Sequence, residues 1–283
     1  MLLPVAVIIL TLHVNPPLEI NMIDVGQGDG IVVSCGGRHV LIDGGSTSAK
    51  NVGKYRIIPF LKYKGIGTLD AVVLTHEDED HMSGIVEVMD DMEKGGIFIK
   101  SLILPEVSMS SRGDNYHLLE MRAKELSIPI SYIDTGEKFL LGRAEFTCLN
   151  PELHMECDGA NAYSTVLHMK YGNFTALFTG DVEKEGQENL KRVIESSNGI
   201  YSDVTLLKVA HHGSMYTTDN EFLKLITPKV ALISCGVDNS YGHPHEEVLT
   251  RLENIGADIV RTDESGEISI RTDGNLMKIQ TFR

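Results

Sequence analysis

Leu74-Thr75-His76-Glu77-Asp78-Glu79-Asp80-His81-Met82-Ser83-Gly84, LTHEDEDHMSG, places two histidines and four carboxylates in the six positions from His76 to His81. The residues leading into it, LDAVVLT from Leu69 to Thr75, are short, apolar and β-branched, the pattern of a strand buried on both faces. The residues after it, MSGIVEVMDDME, have helical spacing. Charge crowded at the end of a buried strand is costly unless cations neutralise it. In open α/β sheets, ligands bind at that end of the strands. The stretch therefore reads as a metal-binding turn in an α/β protein.

The same grammar extends in both directions. Upstream, LEINMIDVG predicts a strand from Leu18 to Val25, and IVVSCGGRHVLIDGG predicts a hairpin joined at Gly36-Gly37 and ending in an Asp43-Gly44-Gly45 turn. A helix is expected from Asn51 to Lys64. Downstream come a strand (IKSLILP), a helix (NYHLLEMRAKEL), short strands near 129–133, 137–142 and 144–149, and a hairpin turning at Gly172-Asn173. A helix follows from Glu183 to Ile194. DVTLLKVAHHGS is again a strand running into histidines, followed by the strand KVALISCG, a loop and helix in YGHPHEEVLTRLENIG, and terminal strands with turns at Ser265-Gly266 and Asp273-Gly274. The two halves share a loose symmetry, each with β-rich strands followed by strand-to-helix junctions rich in His and Asp.

Hydrophobic content of 42% and charged content of 23% over 283 residues are those of a folded protein, read as one domain over 18–283. The net charge of −15 opposes non-specific attraction to nucleic acid or anionic lipid unless local cations or metals offset it. Cys35, Cys148, Cys157 and Cys235 are scattered and read as small buried hydrophobes. Residues 1–17, set off by Asn15-Pro16-Pro17, hold an apolar run of about a dozen residues, short of the roughly 20 a spanning helix needs. That arm is either a packed first segment or the tail of a membrane segment.

His76, Asp78, Asp80 and His81 converge from one turn, and imidazole with carboxylate suits zinc, manganese or iron. Glu77 and Glu79 alternate with them and are expected to point away, as solvent-side or supporting groups. Four ligands on one short turn divide into two sets by reach, which predicts two ions. Other strand ends supply Asp181 in LFTGDV as a bridge, His211 and His212 in KVAHHGS, and His243 in YGHPH. Adjacent side chains diverge, so one of the pair coordinates: His211 is taken as ligand, with His212 or His243 as proton donor or phosphate contact. His245 reads as a helix-start residue. Two ions acidify a water between them and clamp the attacking and leaving oxygens of a phosphoryl or acyl centre, so the expected reaction is hydrolysis. In DVGQGDG the spacing G-x-G-x-G before a hairpin excludes a dinucleotide loop. The loop either brings backbone N–H groups, Gln27 and Asp29 to an anionic group or is a tight turn.

DVGQGD at 24–29, LIDGG at 41–45, THEDEDHMSG at 75–84, FTGD at 178–181, LKVAHHGS at 207–214 and YGHP at 241–244 together resemble the metallo-β-lactamase superfamily, most closely the metallohydrolase domain of ComEC competence proteins. The resemblance implies an αββα sandwich of two facing mixed β-sheets with helices on the outer faces. It also implies a site for two divalent metal ions, zinc or manganese, at one sheet edge. The implied substrate is DNA or another phosphodiester, since the ComEC domain is thought to degrade the non-transforming strand during DNA uptake. The metal set is then His76, Asp78, Asp80, His81, Asp181 and His211. Asp80, His212 and His243 are the catalytic groups, and Gln27, Asp29, Asn161, Ser164 and Ser214 the substrate contacts.

Asp78 stands where the superfamily's H-x-H-x-D-H has its second histidine, as in the ComEC-like group; the oxygen ligand shifts preference toward manganese and leaves zinc open. A further histidine of many members is missing. Asn161 and Ser164 occupy its region, with His168 beyond, so one ion is expected to be weakly held or lacking. The resemblance implies association with a ComEC-like membrane channel and a bacterial, extracytoplasmic setting at the membrane, with the cytoplasm as the alternative; no other protein partner is indicated. Rival readings are a hydrolase of a small phosphodiester or choline-phosphate ester, and a non-catalytic binding module of the same fold. The lack of Trp, 6% aromatics and no evident Lys/Arg cluster count against a strand-tracking groove, unless Lys54, Arg56, Lys62, Lys64 and Lys208 gather in three dimensions.

Overall fold

Hairpins and strand–helix units assemble into two mixed β-sheets in a computed structural model that describes residues 18–157 and 159–283. The expected arm at residues 1–17 lies outside the described residues. β1 (Leu18–Met22), β2 (Ile31–Cys35) and β3 (Arg38–Ile42) run antiparallel. β4 (Ala71–Val73), β5 (Leu102–Pro105) and β6 (Ile130–Ile133) extend the sheet from β3 in parallel. The second half repeats the plan. β7 (Lys138–Leu141), β8 (Ala144–Asn150), β9 (Val166–Tyr171) and β10 (Phe174–Phe178) are antiparallel. β11 (Leu206–Lys208), β12 (Val230–Ile233) and β13 (Asp258–Arg261) follow in parallel. The last strands, β14 (Glu267–Thr272) and β15 (Met277–Phe282), return to the first sheet through β14–β1 pairing.

Parallel neighbours need crossovers, and these are helical. α1 (Ile58–Tyr63, preceded by a π-helical turn at Gly53–Ile57), α2 (Glu79–Glu93) and α3 (Asp114–Glu125) cover the first sheet. α4 (Lys184–Ser196), α5 (Asn220–Ile226) and α6 (Glu246–Asn254) cover the second. The strands lack polar alternation because both faces are buried: Val72 packs under the helices while Ala71 and Val73 pack with Phe146, Phe178 and Leu206 between the sheets. This is the αββα sandwich.

Two boundaries differ from the sequence expectation in ways that matter for the site. β4 stops at Val73 because Thr75 leaves the ladder, its N–H donating to Asp43 Oδ1 at 2.8 Å. α2 then starts at Glu79, so Glu79, Asp80 and His81 lie in its first turn and Asp78 is its N-cap residue. β1 ends at Met22 rather than Val25, with Ile23 N–H donating to Gly30 O to close the loop between β1 and β2. Cys35, Cys148 and Cys235 are buried, and Cys157 is half-buried.

Candidate metal centre

Asp43 follows β3, the 76–81 turn follows β4, Asp181 follows β10 and His211-His212 follow β11, so both sheets deliver side chains to one shared edge. Asp181 is the pivot. Its Oδ2 lies 3.2 Å from His81 Nε2 and 3.3 Å from His212 Nε2, and His212 Nε2 is 3.4 Å from Asp80 Oδ2. Ligand atoms of Asp80, His81, Asp181 and His212 all fall within 4.8 Å of one another. The His76 ring sits 4.1 Å from that of His81, and its Nε2 is 3.6 Å from Asp78 Oδ2.

The Nε2 atoms of His76, His81 and His212 are buried and have no hydrogen-bond partner among the described residues. An unpaired buried polar atom costs about 1–3 kcal/mol, and several aimed at carboxylates are the donor set a divalent ion satisfies. The residues present therefore fit the metal pair expected from the sequence.

The supporting contacts fix each ring. Asp43 accepts hydrogen bonds from Thr75 Oγ1 at 2.8 Å and lies 2.9 Å from His81 Nδ1, leaving Nε2 toward Asp181. His212 Nδ1 lies 2.9 Å from Ser234 O. His211 and His212 have φ of 49° and 53°, a left-handed turn that costs each residue on the order of 1–3 kcal/mol. Lys208 is buried. It donates to Gly180 O at 2.7 Å and to Asp181 Oδ1 at 3.3 Å, and it pairs with Asp29. Gly45 is required by close approach, because a Cβ there would strike the backbone of Asp80 and His81.

Burial disfavours charge on His81, Asp181, Lys208 and His212, yet their mutual pairing outweighs it. His212 is raised to about 9 by Asp181, Asp80 and Asp29, and His81 is raised by Asp181 and Asp43. Lys208 is raised by Asp29 and Asp181, while Asp181 is held well below the ordinary carboxylate value by His212, His81 and Lys208. His243 moves the other way, to about 4, through burial and the neighbouring His212, His211 and His245.

Several expectations are corrected by this geometry. His212 rather than His211 meets Asp181 and Asp80: His211 Nε2 is 3.8 Å from Asp181, its Nδ1 faces Glu183 at 3.3 Å, and its side chain is 26% exposed. Gln27 does not face a substrate, since its Oε1 accepts from Gly236 N–H at 3.1 Å and ties two loops together. Asp29 lies behind the histidines, 3.6 Å from His212 Nδ1 and paired to Lys208, which removes it from substrate contact. Lys208 is in turn absent from any surface patch. Glu77 points away but not to solvent; it is buried and accepts from Gly113 N–H, Tyr116 N–H and Tyr163 O–H at 2.7–2.8 Å.

The remaining candidates divide by place. Ser164 Oγ accepts from Asp181 N–H at 3.2 Å and lies 3.3 Å from His76 Nδ1, so it supports the centre from within. Asn161 touches Ser164 through its carbonyl, which accepts from Ser164 N–H at 3.1 Å, and its Oδ1 is buried without a hydrogen-bond partner among the described residues. Ser214 shapes the turn, its N–H donating to His211 O. The His243 ring is edge-on to His211 at 5.5 Å, tilted to His212 at 6.3 Å and stacked with Tyr241 at 5.7 Å. His245 stands at the N-cap position of α6 with its Nδ1 accepting from Met215 N–H at 3.1 Å, and His168 packs against Tyr201 at 5.0 Å. Asp43 and Lys208 were missed as site residues. Asp43 had one signal, its position at the end of a buried strand before two glycines.

The family model described as the metallo-beta-lactamase superfamily matches residues 23–237. ComE operon protein 3 of Bacillus subtilis (strain 168) is 36% identical over 267 residues, 89% of this chain and 33% of that protein. Competence protein ComA of Neisseria gonorrhoeae is 31% identical over 260 residues, 92% of this chain and 33% of that protein. The chain thus spans a third of the length of either relative. Among solved structures, the metallo-beta-lactamase fold protein YhfI from Bacillus subtilis superposes with a TM-score of 0.57 at 14% identity, covering 87% of this chain and 96% of that one, a likeness of fold.

Proposed function

The chain belongs to the metallo-beta-lactamase superfamily, and from that premise we propose that it is a metal-dependent hydrolase of phosphodiester bonds, a nuclease of the DNA-uptake type. The observation carrying this reading is the set of buried, unpartnered Nε2 atoms of His76, His81 and His212 gathered beside Asp181. Two divalent ions held there supply Lewis-acid activation of water and neutralise charge developing on a phosphoryl group.

Asp80, His81, Asp181 and His212 would hold one divalent ion, and His76 with Asp78 would hold a second. Asp43 and Ser234 O keep the imidazoles of His81 and His212 turned toward the ions, as supporting hydrogen bonds do in metal sites. Lys208 holds Asp181 Oδ1 and so aims Oδ2. His211 and His243 flank the centre, where an imidazole beside the reacting phosphate would exchange a proton with it. Asp78, with 50% of its side chain exposed and an oxygen donor, makes the His76 ion the weaker one and favours manganese over zinc.

The similarity to a ComE operon protein and a competence protein supports DNA as the substrate. On this reading the domain works beside a ComEC-like membrane channel, on the extracytoplasmic side. The test removes metal from the purified protein with a chelator, restores manganese or zinc, and follows labelled single- and double-stranded DNA beside an Asp181→Asn control. Metal-restored cleavage that falls about 10²-fold or more in the control is expected. Intact DNA in every metal-loaded sample overturns the proposal.

A further inference from the structure

We propose that the segment from residue 50 to residue 64 is a track that guides an unpaired nucleic-acid strand to the metal centre; the inference rests on the phosphodiesterase reading and specifies how its substrate is held. In KNVGKYRIIPFLKYK the chain places Lys50, Lys54, Arg56, Lys62 and Lys64 without a single acid, although its net charge is −15. On a surface that otherwise repels a polyanion, a local excess of cations decides where the polyanion lies.

Four of these, Lys50, Lys54, Arg56 and Lys62, are exposed. Arg56 pairs with Asp24 at 3.2 Å and Lys62 with Asp91 at 3.4 Å, pairs between an exposed cation and a half-buried acid, and pairs with an exposed member are weak in water. The ammonium groups of Lys50 and Lys54 form no ion pair among the described residues, although Glu87 is close to the second, accepting from the Lys54 N–H at 3.0 Å.

Exposed aromatic rings alternate with these cations along the segment: Lys54 Nζ sits over the Tyr55 ring at 5.1 Å, and Arg56 lines the same groove as Tyr55 and Tyr63. Tyr55 is 62% exposed and Tyr63 84%, with exposed Pro59 between them. Spacing of four residues puts all three on one side of the helical segment, the tyrosines about 12 Å apart along its axis. They line an open groove together with Phe60, Ile23 and Phe282. Asp24 and Glu267 also reach this groove, the first already neutralised by Arg56. Rows of exposed rings beside cations are how sequence-tolerant single-strand sites work: bases stack on the rings and phosphates meet the cations. A duplex hides its base faces, so the occupant is an unpaired strand.

The segment also leaves the metal centre directly. Gly45 lies on the backbone of Asp80 and His81, Ser46 N–H donates to Ser83 Oγ at 3.2 Å, and Gly53 packs on Gly84. Arg56 Nη1 donates to the carbonyl of Asp24, at the head of the loop that carries Asp29 to His212. Both loops bordering the groove therefore border the centre.

The test uses chelated full-length chain and a labelled oligothymidylate of about 20 nucleotides, longer than a typical single-strand site. Binding is followed by anisotropy across a salt series for wild type, Tyr55→Ala/Tyr63→Ala, Tyr55→Phe/Tyr63→Phe and Lys50→Ala/Lys54→Ala. In parallel, manganese-loaded proteins hydrolyse bis(4-nitrophenyl) phosphate, a diester too small to reach the groove. The Ala pair at the tyrosines should weaken binding about tenfold or more, with the Phe pair close to wild type. The lysine pair should also reduce the salt slope by about 1.4. Hydrolysis of the small diester should be unchanged in all variants. Wild-type binding in both alanine pairs, or duplex bound by wild type as tightly as single strand, overturns the inference. Failure of the underlying reading has a different signature, metal-loaded wild type that cleaves neither the small diester nor DNA, and the track falls with it.

Discussion

Adjacent side chains on an extended chain point to opposite sides, and the left-handed turn at His211 and His212 decides which of them meets Asp181. That decision depends on the carbonyl of Ser234, a contact between separate strands that residue type and spacing do not reveal. The proximity of Asp80, His81 and Asp181 was legible because each is a charged or ligand-type residue placed just after an apolar strand. Asp43 and Lys208 were hidden for the same reason as the histidine choice, since their partners come from distant segments. Consequences follow for single substitutions. His212→Ala should abolish tight metal binding, whereas His211→Ala should leave metal content near wild type, as measured by elemental analysis after dialysis. Asp43→Ala should weaken metal affinity about 10–100-fold by releasing the His81 ring. Lys208→Met leaves Asp29 and Asp181 buried without their cation and should cost about 3–5 kcal/mol in urea unfolding of the metal-free protein.

At the level of elements, the strands and helices were legible from periodicity, and the misplaced boundaries mark where side chains compete with the ladder. Thr75 turns out of β4 toward Asp43, and α2 begins early enough to put Glu79 and Asp80 at its N-terminus, where the helix dipole favours negative charge. Of the two expected places for Glu77, solvent-side or supporting, the fold takes the second, because its partners are the amides of Gly113 and Tyr116 at the start of α3, a contact made through the fold rather than along the chain. Asp219 is a conventional cap, its side chain accepting from Phe222 N–H at the start of α5. Burial opposes its ionisation, but the Phe222 amide and Lys191 prevail and lower its pKa. Asp219→Ala should cost about 1 kcal/mol near pH 7, toward the low side because the carboxylate is partly exposed. A carboxylate with a depressed folded pKa stabilises fully above its unfolded value. The difference between wild type and variant should therefore hold above about pH 4 and shrink as pH falls through the folded value, in denaturant titrations across that range.

For the whole molecule, the repeated order of antiparallel strands followed by parallel ones explains why ligand-type residues from both halves meet at one edge: each half delivers the carboxyl ends of its parallel strands there. The loose two-half symmetry was visible in the sequence. The return of β14 and β15 to β1 was not, because pairing across some 250 residues leaves no local trace. The net charge was legible as a number, but its uneven distribution along the 50–64 face needed the fold. Metal content tests this account most directly. After removal of metal and equilibration with manganese or zinc, wild type should hold two ions per chain, one more weakly, and Asp181→Ala should lose at least one. A wild-type chain that retains no ion, or an Asp181→Ala chain that binds both as tightly as wild type, contradicts it.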